Sequence, residues 1–177
     1  MMPVEDLSGG RICVMGLGNL MCTDDAVGML AVQLLQSDPR LPGHVMVIEG
    51  GTLGLDLLGR LDGVTRLLVL DAVDCGVTPG SVMRFEGEAI RRLPTGRSVH
   101  LLGLSDLLSV MLLLDAAPME VVLLGVQPAS TELGTTLTST VEQALDVLLA
   151  GALQQVLTWK VDEKRERLAS PGVAVGV

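Results

Sequence analysis

Aromatic side chains are nearly missing from this sequence: its 177 residues include one Phe, one Trp and no Tyr. The core must therefore be assembled from Leu, Val, Ile, Ala and Met, and aromatic platforms for stacking bases or sugars are not a general binding device here. Cations are scarce as well. Lys and Arg number 12 against 21 Asp and Glu, a formal charge of −9. That balance argues against nucleic acid and anionic membrane surfaces and mildly favours a cationic or metal-bearing partner. Cysteine is sparse: Cys13, Cys22 and Cys75 form neither a C-x-x-C pair nor a zinc-type spacing. An odd cysteine count, behind an acidic N-terminus (MMPVEDLSGG) with no apolar core, points to reduced thiols in a cytoplasmic protein. No apolar run reads as a membrane span, because 107–126 is broken by Asp115, Pro118 and Glu120. Catalytic signatures are missing too. There is no H-E-x-x-H and no Walker A loop, and the segment GLSDL misses the G-x-S-x-G nucleophile elbow.

What is present is an alternation of short apolar runs with helical patterns, the mark of an α/β layered fold. The length suits one domain, burying roughly 70% of the surface its unfolded form exposes. Ile12 to Leu17 reads as a first strand, apolar on both faces like an interior parallel strand. Helical spacing follows over 25–37, then a strand over 44–48, a short amphipathic helix in TLGLDLLGRL and a strand over 66–70. A turn-rich loop, DCGVTPG, precedes a strand over 81–85. A polar excursion over 86–99 leads to His100, followed by a helix over 103–114 and a strand over 120–126. The last helix is predicted to start at a Ser139-x-x-Glu142 capping box and to end near Thr158. From Lys160 the composition shifts to charges and then small residues. Residues 1–159 are thus read as the domain and 160–177 as a disordered tail.

In open α/β sheets, ligands gather outside the carboxyl ends of the strands. The sequence puts Asp25 after the first strand, Glu49 after the second, Asp71 and Asp74 after the third, and His100 beyond the fourth. Two carboxylates and an imidazole make a plausible partial metal shell with open positions, although these residues are far apart in sequence and no compact motif links them. Plainer roles compete. Either Asp24 or Asp25 can cap the following helix; Asp74 and Glu49 suit turns or the surface; His44 suits an exposed strand start; Cys75 suits a structural thiol. Asp71 is harder to explain structurally, because a carboxylate that ends a Leu/Val run is costly unless paired or ligated. The Gly16-Leu17-Gly18 turn also resembles the start of a dinucleotide-binding loop, with Glu49 about where a ribose-binding acid would sit. However, the third glycine position is Met21, and Asp24 and Asp25 would repel a pyrophosphate at the helix N-terminus.

GLGNLMCTDDAVG, EGGT, LLVLDAVDCGVTPG, HLLGLSDLL and LLGVQP occur in this order between about Arg11 and Leu157. Together they resemble the maturation endopeptidases of nickel–iron hydrogenases. The resemblance implies a single-domain, three-layer α/β fold with a twisted, mostly parallel sheet and helices on both faces. It also implies an activity: removal of a C-terminal extension from the hydrogenase large-subunit precursor once nickel has been inserted, just after the His or Arg that ends the last cysteine motif. The family's metal-contacting residues map onto Asp25, Asp71 and His100, which would serve both as catalytic residues and as ligands to nickel carried by the substrate. Some members have glutamate at the first of these positions and others share Asp-Asp; the acid before Gly-Gly is usually aspartate and is Glu49 here. Two of the segments, LDAVDCGVTPG and HLLGLSDLL, look closer to members serving uptake hydrogenases. A monomer docking transiently on its substrate would suffice. Two rivals from other classes are a nucleotide-dependent enzyme and a non-catalytic metal-binding docking module.

Overall fold

The computed structural model describes residues 11–93 and 99–169. Its strands are β1 (Arg11–Leu17), β2 (Met46–Gly51), β3 (Val64–Ala72), β4 (Val82–Glu86) and β5 (Glu120–Val126). They form one sheet in the order β2-β1-β3-β5-β4. The first four neighbours run parallel, and β4 closes the edge antiparallel to β5. The helices are α1 (Val27–Gln36), α2 (Glu88–Arg91), α3 (Val99–Leu113) and α4 (Ser139–Ala169), with 3₁₀ turns at Thr23–Ala26 and Gly54–Arg60. This is the expected α/β class, mostly parallel with helices on both faces.

Period-2 alternation along the buried strands sorts the core into two halves. Ile12, Val14, Leu68, Leu70, Val122 and Leu124 face α1 and α4, where Leu148, Val156 and Trp159 meet them. Cys13, Met15, Leu67, Val69 and Leu123 face the other layer, built from α3, α2 and the Gly54–Arg60 turn. The layers approach closely where glycine permits it. A Cβ on Gly16 would lie 2.2 Å from the Gly28 carbonyl oxygen, and one on Gly28 would lie 2.1 Å from that of Leu70. The backbone of α1 therefore rests directly on β1 and β3. The chain leaves β1 for β2 on one side and continues through β3 on the other, so the carboxyl ends of β1 and β3 mark the switch point of the sheet.

Three boundaries differ from the sequence reading, each for a physical reason. His100 lies in the first turn of α3 instead of in a connection. Gly103 argues against an early helix start on propensity, yet its missing side chain is what lets α3 sit on Gly54, whose Cα would be 3.3 Å from an added Cβ. The capping box is displaced. The Glu142 N–H donates to the Thr138 carbonyl, so Thr138 holds the cap position and Ser139 lies inside the first turn. Finally, α4 does not stop near Thr158 but runs to Ala169, two residues before Pro171. The charged stretch consists of good helix formers, and Glu163 sets an oxygen 3.4 Å from the nearly buried Arg66 guanidinium, which also donates to the Trp159 carbonyl at 3.3 Å. The expected tail from residue 170 onward lies outside the described residues.

Glu163→Gln should thus destabilise the protein by about 1–3 kcal/mol, because the largely buried Arg66 loses one of its countercharges. Chemical denaturation of the variant beside the unaltered chain measures this; equal midpoints would mean that Glu163 contributes nothing to the fold.

Candidate active site

The chain leaves β1 through a turn closed on itself. Gly18, at φ +130°, donates its N–H to the Gly51 carbonyl at 3.1 Å, and a Cβ there would lie 1.9 Å from the Asp25 carbonyl oxygen. The Asn19 N–H donates to the Asp25 carboxylate at 3.1 Å. The Gly-x-Gly pattern thus serves a tight return of the chain onto Asp25, with Met21 left exposed.

The adjacent aspartates then part ways. Asp24 is fully buried and accepts four hydrogen bonds: from the backbone N–H groups of Ala129, Ser130 and Thr138 at 2.8, 3.0 and 2.7 Å, and from the Thr138 hydroxyl at 2.9 Å. It ties the 129–138 loop, and with it the start of α4, to the turn after β1. Neither aspartate caps α1 through its side chain; the cap position is Ala26. Asp25 turns the other way, and its Oδ2 lies 2.8 Å from His100 Nε2.

Asp71 lies within electrostatic reach of both partners. It is fully buried near the end of β3; its Oδ1 accepts the Ala72 N–H at 2.8 Å and its Oδ2 has no partner. Burial pushes its pKa up to about 7, against the pull of His100. The hydrogen bond to Asp25 raises the pKa of His100, whose Nδ1 is buried without a partner. The residues singled out from sequence, Asp25, Asp71 and His100, therefore come together, two in direct contact and the third coupled to both. An unpartnered carboxylate oxygen and an unpartnered imidazole nitrogen are the donor types that a borderline transition metal accepts. Yet among the described residues no three His, Cys, Asp or Glu side chains are grouped to hold a metal ion by themselves.

The remaining candidates have other surroundings, although Asp74 shares a cleft with Asp25. Glu49 accepts from the Gln33 amide at 3.1 Å on α1, and His44 is exposed. Burial pushes the Cys75 thiol up, which disfavours the thiolate a nucleophile needs. Asp74 accepts from the Gly76 N–H and from the Gln127 amide. The sequence reading overlooked Gln127 as a residue of this region; a polar amide directly after the apolar run LLGV was the available signal. Beside Asp25, a cleft of about 140 Å³ is lined by Ala72, Asp74, Gln127 and residues 128–131. That is far below the roughly 300 Å³ at which small-molecule pockets begin, so it offers no seat for a dinucleotide.

A family model described as hydrogenase maturation protease matches residues 29–155. The chain is 38% identical to the hydrogenase 2 maturation protease of Escherichia coli, over 83% of this chain and 88% of that protein. It is 33% identical to the hydrogenase expression/formation protein HupM of Azotobacter chroococcum, over 96% and 85% of the two chains. The solved structure of the hydrogenase-maturating endopeptidase HybD from Escherichia coli superposes with a TM-score of 0.80 at 35% identity, covering 84% of this chain and 93% of that one.

Two substitutions separate the acids by role. Asp24→Asn should cost about 2–4 kcal/mol, because an amide N–H₂ would face buried donors that need an acceptor. Asp71→Asn should instead stabilise the free protein. The folded pKa of about 7 lies above the unfolded value near 3.8, so ionising Asp71 destabilises the fold progressively as pH rises between them. The gain should be small near pH 4 and reach about 1–3 kcal/mol above pH 7, after allowing for the unpartnered amide. Melting curves across that range decide; a gain independent of pH would contradict the raised pKa.

Proposed function

The chain belongs to the hydrogenase maturation proteases, and from that premise we propose that it removes the C-terminal extension of a nickel–iron hydrogenase large-subunit precursor after nickel insertion, in the cytoplasm. The observation that carries the reading is the meeting of Asp25 and His100 at 2.8 Å beside the unpartnered Oδ2 of Asp71, at the carboxyl ends of β1 and β3. The nickel is substrate cargo and brings its own ligands. Asp25, Asp71 and His100 supply donors for its open positions, the Asp25–His100 hydrogen bond being exchanged for bonds to the metal. A precursor without nickel lacks that anchor, so immature subunits stay uncut. Metal in this position also supplies Lewis acidity toward a carbonyl or a water.

A second assignment of roles is favoured by the Asp71 pKa of about 7. A carboxylate ionised to a large degree near neutrality suits a general base. In this version water adds to the scissile carbonyl carbon and gives its proton to Asp71. The C–N bond then breaks, and the proton passes to the departing amine. Nickel serves only to fix the precursor's register. In both versions the catalytic groups are the same trio.

The test is to mix the protein with precursor prepared with and without nickel and to follow the precursor's mass. Loss of the C-terminal segment from the nickel-loaded sample alone is expected. Cleavage of both samples would discard the metal gate, and cleavage of neither, across related precursors too, would discard the peptidase reading. Asp25→Ala, Asp71→Ala and His100→Ala should each lower processing by at least about a hundredfold, the size of effect expected when a general base or a transition-state donor is removed, while circular dichroism remains native. Normal cutting by all three variants would refute the site assignment.

A further inference from the structure

We infer that Gln127 is a positioning residue for this reaction: it shapes the cleft beside Asp25, where one side chain of the precursor, adjacent to the bond that is cut, is seated. The inference rests on the peptidase reading above. Gln127 follows β5 directly and is 5% exposed. All of its hydrogen-bonding groups are engaged with the loops that leave the sheet here. Oε1 accepts from the Cys75 N–H at 2.8 Å and the Val77 N–H at 3.3 Å. Nε2 donates to Asp74 Oδ1 at 3.0 Å and to the Pro128 carbonyl at 3.3 Å. The backbone N–H donates to the Ser81 carbonyl at 2.9 Å, and the carbonyl accepts from the Gly80 N–H at 2.8 Å. A single residue thus holds the 74–77 loop beyond β3 and the start of its own continuation.

Those two stretches are the walls of the cleft: Ala72 and Asp74 contribute one, residues 128–131 the other, and Asp25 also lines it. A space of about 140 Å³ is too small for a cofactor and suits one large side chain. The walls differ in how they are held. Asp24 independently fixes Ala129 and Ser130. On the Asp74 side, Gln127 accepts from the Cys75 and Val77 N–H groups and donates to Asp74, beside the local turn in which Gly76 donates to Asp74 at 3.1 Å. Losing the Gln127 amide therefore loosens one wall and leaves the other in place. The Asp25–His100 contact and the Asp71 bond to the Ala72 N–H include no atom of Gln127. The defect should therefore fall on seating the substrate, not on the chemical step.

Three variants test this in steady-state cleavage of nickel-loaded precursor, with melting temperatures in parallel. Gln127→Glu replaces a donor to Asp74 with a second carboxylate, and Gln127→Met removes the amide without adding charge. In the double variant Gln127→Glu, Asp74→Asn, the new Asn amide can donate to the new carboxylate and restore the link in reverse, while giving up the Gly76 turn that the same Asp74 oxygen accepts. Both single variants should raise KM about tenfold with kcat within about threefold, and the double variant should bring KM part of the way back. A merely structural role would show no such rescue. An unaltered KM in Gln127→Met, which serves should Gln127→Glu fail to fold, would overturn the inference; so would a fall in kcat that the double variant leaves uncorrected. If the unmodified protein fails to cut precursor, the peptidase reading itself falls, and this inference with it; a normal unmodified protein beside an unaltered Gln127→Met removes this inference alone.

Discussion

Everything at the rim of the sheet depends on how closely α1 approaches it. With a side chain at Gly16 or Gly28, backbone atoms of α1 would meet a Cβ at about 2 Å from a carbonyl oxygen of the opposing element, and the helix would have to lift away. Because neither residue has one, the turn between β1 and α1 is compressed and folds back through Gly18 onto Asp25. Compression is what separates two consecutive carboxylates. In a 3₁₀ turn adjacent side chains point in different directions. Asp24 goes into the loop before α4, and Asp25 goes toward His100 and the end of β3. The glycines that resemble a nucleotide loop are thus used for packing and for aiming side chains.

The two buried aspartates show how differently a fold can treat the same group. Asp24 has four donors around it and joins elements more than a hundred residues apart in sequence, which is how a buried charge becomes compatible with a stable interior. Asp71 has one backbone donor and an oxygen with none. It is kept in an environment that favours its neutral form, with His100 only partly offsetting the burial. A fold maintains such a group at a cost to its own stability, and costs of this kind concentrate where function requires a reactive group held in place. Asp71, not Asp24, is therefore the one that marks the proposed site, although both are invisible to solvent.

Much of this was legible in the sequence. The strands announced themselves as Leu/Val runs, and Asp71 stood out because it closed one. The rim position of Asp25 followed from strand order in an open sheet; that of His100 did not, because β4 runs antiparallel and ends at the opposite edge, and it is the first turn of α3 that sets His100 beside Asp25. What stayed hidden were bonds between distant segments. Nothing near Asp24 in sequence reveals that its donors lie at 129, 130 and 138, so helix capping looked equally reasonable. Likewise, the charged run after Lys160 has the composition of a tail; as helix it sets Glu163 against Arg66, a residue of β3 that approaches only in the folded molecule. The start of α3 at Val99 was hidden in the same way: the cost of Gly103 in a helix is local, while its benefit, contact with Gly54, is tertiary. Gln127 was within view in LLGVQP, but an amide becomes conspicuous only when its burial and its partners are known.

The arrangement also bears on selectivity. A peptidase with a preassembled nucleophile, base and oxyanion hole selects its substrates chiefly through the pocket that receives the residue before the cut. Here the imidazole and one carboxylate are bonded to each other, the second carboxylate is buried, and the described residues contain no complete metal shell. On the proposed reading, the missing donors arrive with the substrate, so the groups become productive only in the complex. The adjoining cleft is small, with one wall pinned by Asp24 and the other by Gln127. A rigid seat for one side chain narrows the choice of peptide further, because a poorly fitting residue cannot be accommodated by a loop already tied at both ends. On that reading, specificity comes from incompleteness at the proposed trio and rigidity beside it; the compressed turn aims Asp25 and, through Asp24, holds one wall, while Gln127 holds the other from the end of β5.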